Sequence, residues 1–153
     1  MNIKAIFDRL EKDFGKQNWW PHLEKGKFVY DKENENRPLS SKQKFEIGIG
    51  AILTQNTSWG NVEKAIKNLD KFNFLNKEAI KQINENELGE LIKSSGYYKQ
   101  KSKKLKKFVE FLNSNKEVNR ENLLDVWGIG KETADSILLY ALEKPVFVID
   151  EYT

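Results

Sequence analysis

An all-α chain is predicted, and two observations predict it. Apolar residues recur at i, i+3, i+4 and i+7 along most of the 153 residues, and helix cap and stop residues punctuate those runs. Ile3, Ile6, Phe7, Leu10 and Phe14 share one helical face, and Gly15 stands where a helix would stop. Residues 16–40 hold Pro21, Gly26, Pro38 and several Asn, which predicts an irregular connection. Ser40 or Ser41 can cap a helix reaching Leu53, with Phe45, Ile49, Ile52 and Leu53 on one face. Ile47, Gly48, Gly50 and Ala51 make that helix apolar almost all round, as a central helix is. Val62, Ala65, Ile66 and Leu69 mark the next helix, and Asn76 opens a short one with Ala79, Ile80 and Ile83. Asn84 followed by Glu87 has capping-box spacing, and the helix it starts ends at Gly96. Leu105, Phe108, Val109 and Leu112 give a further apolar face. No repeat or low-complexity tract interrupts this pattern.

Composition narrows the function classes. Hydrophobic residues make up 39% and charged residues 32%, ordinary for a globular cytoplasmic protein. With no cysteine in the sequence, disulfides, Cys-ligated zinc and an iron–sulfur cluster are excluded within these residues. No apolar run approaches signal-peptide or membrane-spanning length. A formal charge of +3 permits a nucleic-acid partner without arguing strongly for one. No metal-ligand spacing is present, and His22 reads as structural or solvent-facing.

The most informative stretch is LLDVWGIGKETADSILLYA, Leu123–Ala141. A short helix ends near Val126, Gly128 and Gly130 flank Ile129, and a second helix begins near Lys131. Glycines let a backbone approach a ligand without Cβ contacts, and helix N-terminal amides can face a phosphate. The order hydrophobic–Gly–hydrophobic–Gly–Lys, followed by a helix with small residues, is more specific than a glycine turn between two helices. It resembles the helix-hairpin-helix of the DNA glycosylase superfamily typified by endonuclease III. Pro145–Asp150 follows at the distance where that family carries a catalytic aspartate, although the family's loop glycine is replaced by the neighbourhood of Glu143 and Lys144. Leu53–Thr57 (LTQNT) is similar to the family's helix exit, whose Gln enters the space left by a flipped base. Gly96-Tyr97-Tyr98 is similar to its wedge loop. WWP at 19–21, Phe45, LTQNT and GIGKE together look like the 3-methyladenine DNA glycosylase III branch.

The resemblance implies a helix-hairpin-helix glycosylase fold with a base pocket between two helical lobes. Residues 1–40 would belong to the first lobe and 41–145 to the second, with the catalytic loop at 146–153. The chain stops three residues after Asp150, where family members continue with helices completing the first lobe, so the C-terminal part is expected to be missing. The implied activity is hydrolysis of the N-glycosidic bond of an alkylated purine such as 3-methyladenine, in double-stranded DNA carrying the damaged base. The protein is expected to be a monomer associated with the bacterial nucleoid in the cytoplasm. No cofactor is expected, though hairpins of this type can hold a monovalent cation through backbone carbonyls.

Each site residue has an implied role and a plainer alternative. A flipped base leaves a hole, which Gln55 would fill while Tyr97 intercalates beside it; otherwise Gln55 closes a helix and Tyr97 packs on its own loop. Gly128, Gly130 and Lys131 would grip the phosphate backbone. Asp150 would stabilise positive charge at C1′ and orient the attacking water; otherwise it caps a helix starting at Glu151. Trp19 and Trp20, set by Pro21 in a non-helical loop, would wall one side of the base pocket, and Phe45 would stack from the other. Cationic rings bind aromatic faces by roughly 0.5–2 kcal/mol. The same three aromatics also read as core anchors. Glu132 occupies the position where bifunctional members carry a Schiff-base lysine, which implies a monofunctional enzyme. The lysine run at 98–107 reads as a solvated face. Two readings from other classes stay open: a bifunctional glycosylase/lyase for oxidised pyrimidines using Lys131, and a DNA-binding module without catalysis.

Overall fold

The structure is a computed structural model describing residues 2–15, 19–30 and 38–150. Helix α1 (Ile3–Phe14) is capped by Asn2, whose side chain accepts from the Lys4 amide at 3.1 Å, and is closed by Gly15. Its apolar residues Ile3, Phe7, Leu10 and Phe14 are exposed, and α1 buries nothing among the described residues. The connection that follows is more regular than its composition suggests. Strands β1 (His22–Glu24) and β2 (Lys27–Val29) pair antiparallel, with Leu23 opposite Phe28. Lys25 and Gly26 join them with positive φ at both positions, the backbone that a two-residue hairpin turn needs. The strands are too short for side-chain alternation to announce them.

Helix α2 (Ser41–Leu53) is the centre of the molecule. Ser40 and Gln43 form a reciprocal capping box at its start. Every residue from Glu46 to Leu53 is buried. Ile49, Ile52 and Leu53 are fully enclosed, each worth about 1.5–3 kcal/mol of transfer free energy. Around α2 pack α3 (Trp59–Lys71) and α6 (Tyr98–Leu112), together with the last helical segment of the chain. Helices α4 (Lys77–Gln82) and α5 (Glu85–Leu91) cover α6. Asn76 caps α4 through the Ala79 amide. Asn84 caps α5 through the Asn86 amide, without the reciprocal Glu87 bond that its spacing suggested. A 3-10 turn at Lys93–Ser95 precedes α6. Helices α7 (Arg120–Leu124) and α8 (Lys131–Ser136) end the fold, and α8 continues as a π-helical turn over Ile137–Ala141. Together these elements form the all-α helix-hairpin-helix architecture, with one small β-hairpin among the described residues.

Two buried charged groups pin the elements around α2. Glu46 Oε1 accepts from the Leu23 amide at 2.6 Å, joining β1 to α2. Burial, opposed by that bond and by Lys42, pushes the Glu46 carboxyl up from 4.5 to about 7. Lys101 is 2% exposed and donates to the carbonyls of Leu53 at 2.8 Å and Ser95 at 2.5 Å. Burial, helped by Lys104, pushes its ammonium down to about 8.

The Glu46 shift has a defined sign. Between pH 4.5 and about 7 the folded chain retains a proton that the unfolded chain has lost, so this group favours folding below that window and its contribution fades as pH rises through it. The full effect is on the order of 3 kcal/mol. Glu46→Gln keeps a carbonyl acceptor for Leu23 and cannot ionise. Denaturant titrations from pH 4 to 9 are expected to show wild type losing stability relative to this variant across that window.

Candidate functional site

A cleft of ≈ 630 Å³ opens between the exit of α2 and the α7–α8 hairpin. The exit of α2 forms one wall, through Thr54, Gln55, Asn56 and Thr57. The α7–α8 hairpin forms another, through Gly128, Gly130, Lys131, Glu132 and Thr133. Trp19, Trp20 and Tyr140 close a third side, and Val148 and Asp150 complete the lining.

The hairpin is held from within. Arg120 donates to both carboxylate oxygens of Asp135, at 2.7 and 3.1 Å, clamping α7 to α8. This bidentate geometry is the strongest arrangement for such a pair, and it raises the Arg120 pKa. Ile129 is buried between the two glycines, which leaves their backbone at the surface. Gly128 has φ +87, and a Cβ there would strike the Lys104 side chain. Gly130 has ordinary extended backbone and open space at its Cβ position.

Gln55 lies against this hairpin. Its Nε2 donates to the Gly128 carbonyl at 3.1 Å and to Thr133 Oγ1 at 2.9 Å. Lys104 Nζ donates to its Oε1. An ammonium only donates, so it selects the oxygen end of the carboxamide and turns the amide nitrogen to the hairpin. Burial lowers the Lys104 pKa.

The aromatic wall is larger than the sequence suggested. Trp19 and Trp20 stand 5.4 Å apart, and both pack on Trp59, at 4.9 and 5.4 Å. Trp20 also contacts Tyr140 at 5.5 Å. Its indole lies so close to α2 that a Cβ on Gly50 would come within 3.1 Å of Nε1. Trp20 is half-buried, whereas Trp19, which also meets Tyr30 at 6.2 Å, is partly open to solvent. Burial, and secondarily the nearby Asp150 charge, raises the Tyr140 pKa.

The structure therefore brings Trp19, Trp20, Gln55, Gly128, Gly130, Lys131, Glu132 and Asp150 to one cleft. It places Phe45 elsewhere. That ring is half-buried and lines a separate groove with Ser41, Lys42, Asp70 and Leu75. The reason is position along α2: Phe45 lies near the start of the helix, whereas the cleft forms at its exit, around Thr54–Thr57. Pro21 is buried and does not line the cleft. Tyr97 stands outside the cleft lining and is 67% exposed, in left-handed backbone at the start of α6. Such backbone is costly for an aromatic residue and is often held at functional positions. The helix proposed to begin at Glu151 lies outside the described residues. Sequence reasoning missed Lys104, Thr133 and Tyr140. Thr133, Ser136 and Tyr140 follow i, i+3, i+7 spacing, a one-face signal available from the sequence. Lys104 was masked by its lysine-rich neighbours. Among the described residues no three acidic or His side chains converge as a metal site would require.

Residues 49–152 match the family described as HhH-GPD superfamily base excision DNA repair protein. The chain is 40% identical over 164 residues to a Methanocaldococcus jannaschii protein provisionally assigned as a DNA repair glycosylase, covering 99% of this chain and 66% of that one. It is 30% identical over 112 residues to endonuclease III of Thermotoga maritima, covering 71% of this chain and 52% of the other. Among solved structures it is similar to the H. pylori 3-methyladenine DNA glycosylase MagIII bound to 1,N6-ethenoadenine. That match has a TM-score of 0.69 and 38% identity, over 78% of this chain and 63% of the other. A non-covalent endonuclease III–DNA complex shares the fold, with a TM-score of 0.71 and 22% identity over 97% of this chain and 63% of that one. The chain thus spans about two thirds or less of the length of these relatives.

The two hairpin glycines are expected to respond differently. Gly128→Ala must adopt a left-handed backbone and displace Lys104, a cost of about 1–3 kcal/mol. Gly130→Ala meets no neighbour and is expected to leave the melting temperature nearly unchanged. Thermal unfolding of both variants checks the difference.

Proposed function

The chain belongs to the HhH-GPD superfamily of base excision DNA repair proteins, and on that premise we propose that its cleft receives a cationic alkylated purine, such as 3-methyladenine, rotated out of a DNA duplex and hydrolyses its N-glycosidic bond. The observation that carries the reading is the juxtaposition of Asp150, the tryptophan wall and the glycine hairpin around one cleft. Its volume lies in the range of small-molecule sites. Similarity to a glycosylase whose structure holds 1,N6-ethenoadenine supports a modified adenine as the base.

The chemistry follows from these groups. A base in a duplex is inaccessible, so it must leave the stack first. The hairpin backbone and Lys131 hold phosphates, which positions the strand without reading its sequence. Gln55 fills the vacated space and Tyr97 wedges the neighbouring step. The freed ring slides against Trp19, whose exposed face attracts positive charge. As the C1′–N bond lengthens, the sugar gains oxocarbenium character, and the Asp150 carboxylate stabilises it. Asp150 then orients or deprotonates the water that attacks C1′. An alkylated purine leaves readily because departure neutralises its charge, so no strong general acid is needed. Glu132 offers no amine for a Schiff base, so the product is an abasic site in an uncut strand.

Asp150→Asn is expected to lower release of methylated bases from alkylated DNA by about 10²-fold or more, with gel-shift affinity for the same DNA retained. 3-Methyladenine is expected to be released faster than hypoxanthine or thymine glycol. Trp19→Leu or Trp20→Leu should erode that preference. Equal release of neutral lesions would refute the charge-selective pocket. A lyase reading draws support from Lys104 and Lys131, two amines lining the same cleft. Borohydride added during turnover decides the matter: the monofunctional reading requires that no protein–DNA adduct be trapped.

A further inference from the structure

Lys101 and Lys104 sit nearly one turn apart on α6, and neither behaves as a surface charge. The Lys101 ammonium bridges two backbone carbonyls, those of Leu53 and Ser95. Leu53 is the last residue of α2, and its carbonyl has no intrahelical partner. Gln55 follows two residues later. Ser95 closes the 3-10 turn, and Tyr97 follows two residues after it. A single buried cation therefore ties together the two points of the backbone from which Gln55 and Tyr97 depart. Lys104 acts on the side chain itself, holding the Gln55 oxygen while the amide nitrogen engages Gly128 and Thr133.

The chain pays a desolvation cost to bury an ammonium at position 101. A cap on α2 alone would need one acceptor from it. The second bond, to a turn 42 residues further along the chain, couples the exit of α2 to the 3-10 turn before α6.

We propose that Lys101 and Lys104 are positioning residues: Lys101 sets the separation between Gln55 and Tyr97, and Lys104 sets the orientation of Gln55 against the hairpin, so that both side chains meet the duplex in one register. This rests on the reading that Gln55 and Tyr97 enter DNA. In this role each lysine acts through Gln55 or Tyr97 and not on the reacting atoms.

The test uses a duplex with a tetrahydrofuran abasic analogue opposite 2-aminopurine, whose fluorescence reports stacking at the orphan position. Wild type is expected to change that fluorescence on binding. Lys101→Met is expected to bind undamaged duplex with affinity within about threefold of wild type, since hairpin phosphate contacts carry that term. The 2-aminopurine change should nevertheless fall by about half or more, because such insertion needs sub-ångström placement. Lys104→Met should reduce the change as well, and Lys104→Arg should restore much of it. In the free protein, the Gln55 side-chain amide resonances should move toward those of an unbonded glutamine in Lys104→Met. If Lys101→Met does not fold, the less buried Lys104 pair carries the test. Variants that bind and keep the full fluorescence change, or unmoved Gln55 resonances in Lys104→Met, would overturn the proposal. So would a signal lost only in step with helicity and with affinity for all duplexes. Wild type that binds without any fluorescence change would instead sink the duplex-entry reading, and the proposal with it.

Discussion

Helix α2 runs through the middle of the protein with eight consecutive residues buried. A helix enclosed in this way cannot leave its last carbonyls to water, and an unpaired buried carbonyl costs about 1–3 kcal/mol. The Lys101 ammonium meets that constraint by reaching in from α6 to the Leu53 carbonyl. It also suits the negative end of the helix dipole. Much of the site's placement follows. Just past the carbonyl that Lys101 holds, Thr54–Thr57 leave the core at the cleft wall, beside the hairpin of α7 and α8.

The hairpin is stiff for a different reason. Arg120 and Asp135 lock its two helices, and Ile129 anchors the turn in the core. Its glycines are not equivalent. Gly128 is required by left-handed backbone and by the Lys104 stem lying across it, whereas Gly130 leaves open space. The first is an internal packing requirement, and the second provides surface a ligand can approach. Gln55 joins both halves of this arrangement, since its carboxamide is shared between α6 and the hairpin.

The aromatic wall shows how one loop serves two ends. Trp20 is held by Trp59, Tyr140 and the bare flank of α2 at Gly50. Trp19 leans on the same Trp59 but stays 40% exposed. Anchoring one indole restricts the orientations open to its neighbour. Glu46, bonded to Leu23, fixes the β-hairpin immediately after the pair.

The sequence by itself determined the helices, their caps and the glycine hairpin, because these follow from spacings of three or four residues and from single capping side chains. Ser40, Asn76 and Gly15 stand at helix ends as their chemistry requires. The sequence also named most of the cleft, since hairpin, helix exit and aspartate are compact local motifs. Tertiary structure decided the rest. The sequence reading puts Phe45 in the base pocket and the structure puts it in a separate groove, because a helix apolar almost all round has no single face by which to fix a side chain's direction. The β1–β2 hairpin escaped notice because three-residue strands are too short to show alternation. Lys101 and Lys104 were indistinguishable from the solvated lysines around them. Only the packing of α6 against α2 and the hairpin brings the Lys101 amine to the Leu53 and Ser95 carbonyls and the Lys104 amine to Gln55.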